Sequence, residues 1–246
     1  MKSMMMRLIG AIALAILVFG GREAHAQEFK YQVEHDHLYK SCKGELIINQ
    51  DGVEYRTDNK DHARKWTYID IKTIKLKSPK KVEVVSYESG LKTLGWDKEF
   101  EFKVLEGEIT KDVSEFLLSR VARPLNTSFV ATEEKAQYEI PVRHSHRFGG
   151  CQGTLRIFSD RIVYESDKQE NSRYWRWSDI QSISRTGPYH FSVTTYEAKF
   201  GGSKTYNFDL KEQMEDVVYD FAWARVNRAT LPGASRNEQE ARRIHP

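Results

Sequence analysis

The 246-residue sequence predicts a mainly β protein with helices, built as two tandem domains, each a set of short strands closed by one C-terminal amphipathic helix. Three observations carry that expectation. One skeleton is written twice at a constant offset of 109 positions: His35, His37, Cys42, Gly44, Leu46, Asp51, Tyr55, Arg64, Trp66, Asp70, Ile71 and Ile74 recur, without a gap, as His144, His146, Cys151, Gly153, Leu155, Asp160, Tyr164, Arg173, Trp175, Asp179, Ile180 and Ile183. Within each copy the apolar residues alternate with the period of two expected of half-buried strands. Each copy then ends in a run with helical spacing.

In the first copy, Phe29 to Leu38 reads as a strand, and Cys42-Lys-Gly-Glu-Leu-Ile-Ile as a second strand or the first one continued after a bulge. Asn49-Gln50-Asp51-Gly52 is a tight turn, because Asp-Gly supplies the positive φ that a hairpin needs. Val53, Tyr55 and Thr57 form the returning strand, 58–65 a polar loop, and Trp66 and Tyr68 one face of a short strand. Asp70 is expected to cap a helical turn that tucks Ile71 and Ile74 inward. Val82, Val84 and Ser86 mark the next strand, Ser89-Gly90 and Gly95 bound a hairpin, and Phe100, Phe102 and Val104 alternate as the last strand. Ile109, Val113, Phe116, Leu117 and Arg120 then share one helix face, and Pro124 ends the helix.

Residues 126–137 lack periodicity and read as a linker, with Asn126-Thr127-Ser128 a glycosylation sequon by letter. The second copy starts at Tyr138, with strands again around Phe191–Tyr196 and Thr205–Leu210. Its closing stripe is read as Leu210, Met214, Val217, Phe221 and Ala224, and Phe116–Val121 aligns with Phe221–Val226. The expected organisation is domain 1 over 27–125, domain 2 over 138–230, and a disordered tail over 231–246.

Residues 1–26 have the pattern of a cleaved signal peptide: basic Lys2 and Arg7, an apolar run from Leu8 to Gly20, and Ala24-His25-Ala26 at the cleavage point. The apolar run is short for a membrane span. A secreted or periplasmic protein, cleaved after Ala26, is expected. Of the 38 basic and 35 acidic residues, this segment removes three and one, leaving 35 and 34. A net charge near +1 excludes a global electrostatic case for nucleic acid.

Gly44-x-Leu46-x-Ile48 with Tyr55, and Gly153-x-Leu155-x-Ile157 with Tyr164, are each followed by an aromatic and an Asp-Ile-x-x-Ile segment. These residues resemble the GRAM and bacterial pleckstrin-homology-like (PH-like) superfamily. The resemblance implies two tandem PH-like β-sandwich or barrel domains, each of two roughly orthogonal antiparallel sheets closed by one C-terminal helix. It also implies phosphoinositide binding through basic residues in the loop between the first two strands. The corresponding turns are taken as Asn49–Gly52 and Ser159-Asp160-Arg161, and neither carries a basic cluster.

The His-x-His with a cysteine five residues on is the most chemical feature. His35 and His37, like His144 and His146, should point to one face of a strand. With Cys42 and Cys151 they offer zinc or copper ligands; the competing reading is structural histidines and buried thiols. Cys42 and Cys151 are also candidates for a disulfide stapling the domains, against the alternative of two separate thiols. Lys72, Lys75, Lys77, Lys80 and Lys81 form a basic run in the first copy only, either a patch for an anionic partner or solvated lysines protecting a sheet edge. Arg173-Tyr174-Trp175-Arg176-Trp177 looks like a nucleic-acid stripe, but Trp175 and Trp177 match Trp66 and Tyr68, so core packing explains them better. No nucleophile elbow, phosphate loop, HExxH or paired-carboxylate arrangement occurs, and no catalytic residue or required cofactor is assigned. The expectation is an exported, non-enzymatic binding or scaffolding protein whose ligand is another protein. The alternative is a metal-binding or redox-responsive protein, and a weaker one a membrane-surface lipid binder.

Overall fold

A computed structural model describes residues 27–36, 41–88, 97–130, 134–146, 149–199 and 202–228, with side chains 198 and 199 excepted. The expected signal peptide, His37, the 89–96 hairpin and the 231–246 tail therefore lie outside the described residues.

Domain 1 contains β1 (Phe29–Asp36), β2 (Ser41–Ile48), β3 (Gly52–Arg56), β4 (Arg64–Thr67), β5 (Ile71–Ser78), β6 (Lys81–Ser86), β7 (Lys98–Val104) and α1 (Lys111–Arg120), followed by β8 (Asn126–Thr127). Domain 2 contains β9 (Tyr138–His146), β10 (Gly149–Ile157), β11 (Arg161–Ser166), β12 (Arg173–Arg176), β13 (Ile180–Arg185), β14 (His190–Lys199), β15 (Gly202–Leu210) and α2 (Asp216–Arg228). The strand orders are β4-β3-β2-β1-β7-β6-β5-β8 and β12-β11-β10-β9-β15-β14-β13. Apart from β8 the two are the same order, with the first strand pairing to the second and to the last. The fold is therefore mainly β, two equivalent units in tandem, each with its own core and closing helix.

The helices close the end of each unit where the first strand begins. Phe29 meets Phe116 edge-on at 5.4 Å, and Tyr138 meets Phe221 at 5.3 Å. Val113, Phe116 and Leu117 of α1 are buried as their spacing predicts. In α2 the buried face is Val218, Ala222 and Val226, whereas Val217 is 56% exposed. The stripe counted from Leu210 is thus out of phase, because Leu210 still belongs to β15 and the helix begins only at Asp216. Aligning the repeats gives the right phase: Leu117 matches Ala222 and Val121 matches Val226.

Two further expectations are corrected. Ile71 and Ile74 are buried, but on a strand and not in a helical turn. The β5–β6 register shifts between Ile71 and Thr73, and β13–β14 shifts between Ile180 and Ser182. A bulge inserts one residue into the alternation, so two positions three apart face the same side. The turn at Asn49–Gly52 joins the second strand to the third; the first two strands join across 37–40 in domain 1 and 147–148 in domain 2.

The described residues of the 126–137 stretch are anchored at both ends. β8 pairs in parallel with β5 at Lys75 and Leu76, Ser128 donates to the Leu76 carbonyl, and Val130 and Ala136 pack with Phe158 and Val163 of domain 2. Thr127 and Ser128 are buried, so the sequon is built into the fold.

Arg176 of domain 2 clamps the end of α1. It donates through Nη1 to the carbonyls of Leu118 and Val121 and through Nη2 to that of Arg123, each at 3.0 Å, while Asp179 holds the other side of the guanidinium. A cation at a helix C-terminus answers carbonyls that have no partner within the helix.

Candidate functional site

The duplicated residues converge on the end of each unit away from its helix. In domain 1, His35 lies across from Cys42 on β2 and Phe102 on β7. Its ring is 5.9 Å from Tyr55, 5.1 Å from Phe102 and 5.8 Å from Phe100, and its Nδ1 is 2.8 Å from the Glu101 carbonyl. In domain 2, His144 lies across from Cys151 and Phe208, with its ring 5.5 Å from Tyr164, 5.2 Å from Phe208 and 5.5 Å from Tyr206. The skeleton glycines belong to this packing. A Cβ on Gly44 or Gly153 would stand 2.7 Å from the ring of Tyr55 or Tyr164, so only glycine lets the tyrosine lie flat over the strand. Each tyrosine then donates to the carbonyl of its repeat's cysteine, at 3.0 Å in both domains.

A tryptophan–glutamate pair completes each cluster. Trp66 Nε1 donates to Glu88 Oε1 at 2.7 Å, and Trp175 Nε1 donates to Glu197 Oε1 at 2.8 Å. Sequence reasoning missed both glutamates, although they sit at the same 109-residue offset. The signal was there, in a region of copy one read only as the approach to a hairpin. Glu197 is the more deeply held: Tyr206 Oη at 2.8 Å and Asn126 Nδ2 at 3.0 Å also donate to it. Burial and this neighbouring carboxylate push the Tyr206 hydroxyl well above its usual range.

The two copies differ at the histidines. In domain 1 the Cys42 sulfur is 3.1 Å from Tyr55 Oη. In domain 2 the Cys151 sulfur is 2.5 Å from His146 Nε2, and the His144 and His146 rings meet edge-on at 4.3 Å. One donor atom from each of His144, His146 and Cys151 lies within 4.8 Å of the others. Burial, then the charges of His146, Arg173 and Lys204, lower the His144 pKa to about 4, so the ring is neutral across the physiological range. Burial likewise lowers that of His35. Of the six metal-ligand candidates, then, the structure groups three in domain 2; His35 and Cys42 face each other in domain 1 and stand apart from that group. Cys42 and Cys151 are both free thiols in this structure, each with a partner inside its own repeat.

The lysine run lies along the β5–β6–β7 face with carboxylates beside it. Lys75 and Lys77 both bond the buried Glu83, Lys72 meets Asp97 at 2.5 Å, Lys81 meets Glu101 at 2.5 Å, and Lys80 is 3.7 Å from Glu108. Its charge is balanced locally, which removes most of the field that an anionic partner would feel.

A second feature lies at the helix end of domain 1. A groove of about 440 Å³ runs between the start of β5 and the end of α1, lined by Tyr68, Ile69, Ile74, Tyr87, Arg120 and Arg123 among others. Ile69 is 85% exposed and Tyr87 46%. The Arg123 guanidinium sits 5.2 Å from the Tyr87 ring, and neither Arg120 nor Arg123 has a carboxylate partner among the described residues. One wall of the groove is the segment that Arg176 holds.

No protein-family model matches the chain, and no curated protein matches it. One solved structure similar to it is "Structure of the Spt16D Pob3N heterodimer", at 11% identity and a TM-score of 0.29, covering 69% of this chain and 82% of that chain. A likeness at that score carries no functional argument.

Proposed function

We propose that this is an exported, non-enzymatic binding protein whose first domain takes an extended segment of a partner protein in the groove beside α1. The observation that carries this reading is the groove itself, with large apolar side chains exposed beside two guanidiniums that have no carboxylate partner among the described residues. A solvent-facing isoleucine and tyrosine are ordinary singly, but together in a concavity they fit an apolar side chain. Arg120 and Arg123 add a preference for carboxylates. Backbone geometry supports an extended ligand: β8 covers the outer edge of β5 only at Lys75 and Leu76, and among the described residues no strand pairs with that edge over Ile71–Ile74. An added strand there would gain main-chain hydrogen bonds, a common mode of peptide recognition. The second copy has Ser178 and Gln181 where the first has Ile69 and Lys72, so the groove is a feature of domain 1 alone. The GRAM-like resemblance belongs to the same proposal, as a relationship of fold with protein and not lipid as ligand.

Selection of a displayed random-peptide library on the mature protein tests it. The expected winners are extended sequences mixing acidic and apolar residues, with binding lost on Ile69→Asp and on the Arg120→Glu, Arg123→Glu double variant. Winners that lack acidic residues, or that bind both variants unchanged, would overturn the reading.

A further inference from the structure

We propose that domain 2 carries a metal site in which His144, His146 and Cys151 bind a d10 cation of borderline to soft character, Zn²⁺ or Cu⁺. The hairpin of β9 and β10 builds the ligand set from a few residues. His144 and Cys151 are directly opposed, and His146 follows two residues on, facing the same side. The three donor atoms fall within 4.8 Å of one another, and small side-chain rotations would bring them to the roughly 3.3–3.6 Å separations that one tetrahedral ion at ordinary Zn–N and Zn–S bond lengths sets. Two imidazoles and a thiolate suit zinc and copper and suit calcium or magnesium poorly.

A second observation points to the same place. His144 is only 8% exposed, and its Nδ1 is buried with no hydrogen-bond partner among the described residues. Buried polar atoms are nearly always satisfied, so an orphaned imidazole nitrogen beside another imidazole and a thiol is an unfilled requirement. Domain 1 supplies the contrast within the same chain. There the equivalent His35 Nδ1 is met by the Glu101 carbonyl at 2.8 Å, and the Cys42 sulfur by Tyr55. In domain 2, Tyr164 Oη donates to the Cys151 carbonyl as Tyr55 does to that of Cys42, and the Cys151 sulfur stands 2.5 Å from His146 Nε2. Among the described residues, the His35 nitrogen is satisfied within the fold and the His144 nitrogen is not.

Access is also built in. His146 is exposed, and its cross-strand partner is Gly149, at φ +108°, where a side chain would otherwise stand and where a Cβ would meet nothing within 4 Å. Three protein donors leave a fourth position, on this open side, for water or a ligand from solution. Binding of Zn²⁺ releases the Cys151 thiol proton to solvent and leaves both imidazoles neutral.

The test uses the mature full chain without a histidine tag, freed of metal by a chelator. Zn²⁺ is titrated in air, and Cu⁺ anaerobically against a chromophoric chelator. One ion per chain is expected, with X-ray absorption showing one sulfur and two or three nitrogen or oxygen neighbours, at least two of them imidazole. The titration that saturates at one equivalent with the higher affinity identifies the ion. His146→Asn changes an exposed residue and should fold normally yet bind at least 10-fold more weakly. Cys151→Ser should lose the sulfur neighbour, and Cys42→Ser should bind like the parent. Saturation by neither ion at micromolar concentration, undiminished binding by His146→Asn, or binding that depends on Cys42 would overturn the proposal.

Discussion

Replacing Glu197 by alanine should destabilise the protein by about 3 kcal/mol. The carboxylate is 5% exposed and accepts from Trp175 Nε1, Tyr206 Oη and Asn126 Nδ2. Trp175 and Tyr206 are themselves essentially inaccessible, at 0% and 1% exposure, so both donors would be stranded. Each stranded donor costs about 1–3 kcal/mol. Asn126 is only half-buried and can turn toward water, so it adds little. Against this stands the relief of no longer burying a carboxylate, which returns part of the loss. Glu88 provides the matched control. It accepts from Trp66 Nε1 in the same way, but its side chain is 36% exposed, so water can replace it and Glu88→Ala should cost about 1 kcal/mol or less. Urea denaturation followed by tryptophan fluorescence reads both. With a slope near 2 kcal/mol/M, Glu197→Ala should lower the midpoint by roughly 1.5 M at unchanged slope. Equal midpoint shifts for the two alanine variants would refute the claim that stranded donors, and not the loss of a glutamate as such, set the cost.

Arg176→Ala should destabilise by about 2 kcal/mol and speed proteolysis within 126–137, and Arg176→Lys should recover less than half, because an ammonium cannot fork across three carbonyls; limited digestion and urea midpoints measure both. Gly153→Ala should cost about 2 kcal/mol or more, since the new Cβ would stand 2.3 Å from the Glu165 carbonyl oxygen, and thermal unfolding will report it. Burial pushes the Glu83 carboxyl upward, but Lys75 and Lys77 outweigh it and hold its pKa below the ordinary 4.5. The stability this supplies is complete above pH 4.5 and is lost as pH falls through the folded-state value. Glu83→Gln should therefore be about 1–2 kcal/mol less stable at pH 7 and converge on the parent in acid, as urea midpoints between pH 7 and pH 3 would show.

Much of the fold was legible because the chain repeats itself. A constant offset over the whole skeleton requires two equivalent units, and residues such as Leu46, Tyr55 and Trp66 are buried in one as Leu155, Tyr164 and Trp175 are in the other. Local periodicity alone placed the buried face of α1 but misled at two other places. The α2 stripe was started inside β15, and Ile71 and Ile74 were given helical spacing when a bulge places them on one face. Helix and bulged strand both put positions three apart on the same side, so the pattern does not separate them without the partner strand. The loop between the first two strands was misplaced for a similar reason, since the break after Asp36 carries no glycine or proline to announce it.

For the candidate sites the division is sharper. The sequence alone determined that His-x-His and a cysteine occur in both copies, and it predicted a shared strand face for each pair, because a period of two is a property of the backbone; the described residues bear this out at His144 and His146. Only the tertiary structure decided which copy differs. His35 Nδ1 finds a carbonyl on β7, a strand more than sixty residues away, and His144 Nδ1 finds no partner among the described residues. It also decided that the five lysines each have a carboxylate beside them, on β6, on β7 or on the residues flanking β7, and that Ile69 and Tyr87, 18 positions apart, line one groove. Hydrogen-bond completion, charge balance and concavity are all relations between distant segments. The pattern of a single strand or helix does not contain them; they exist only once the sheet has closed on its core.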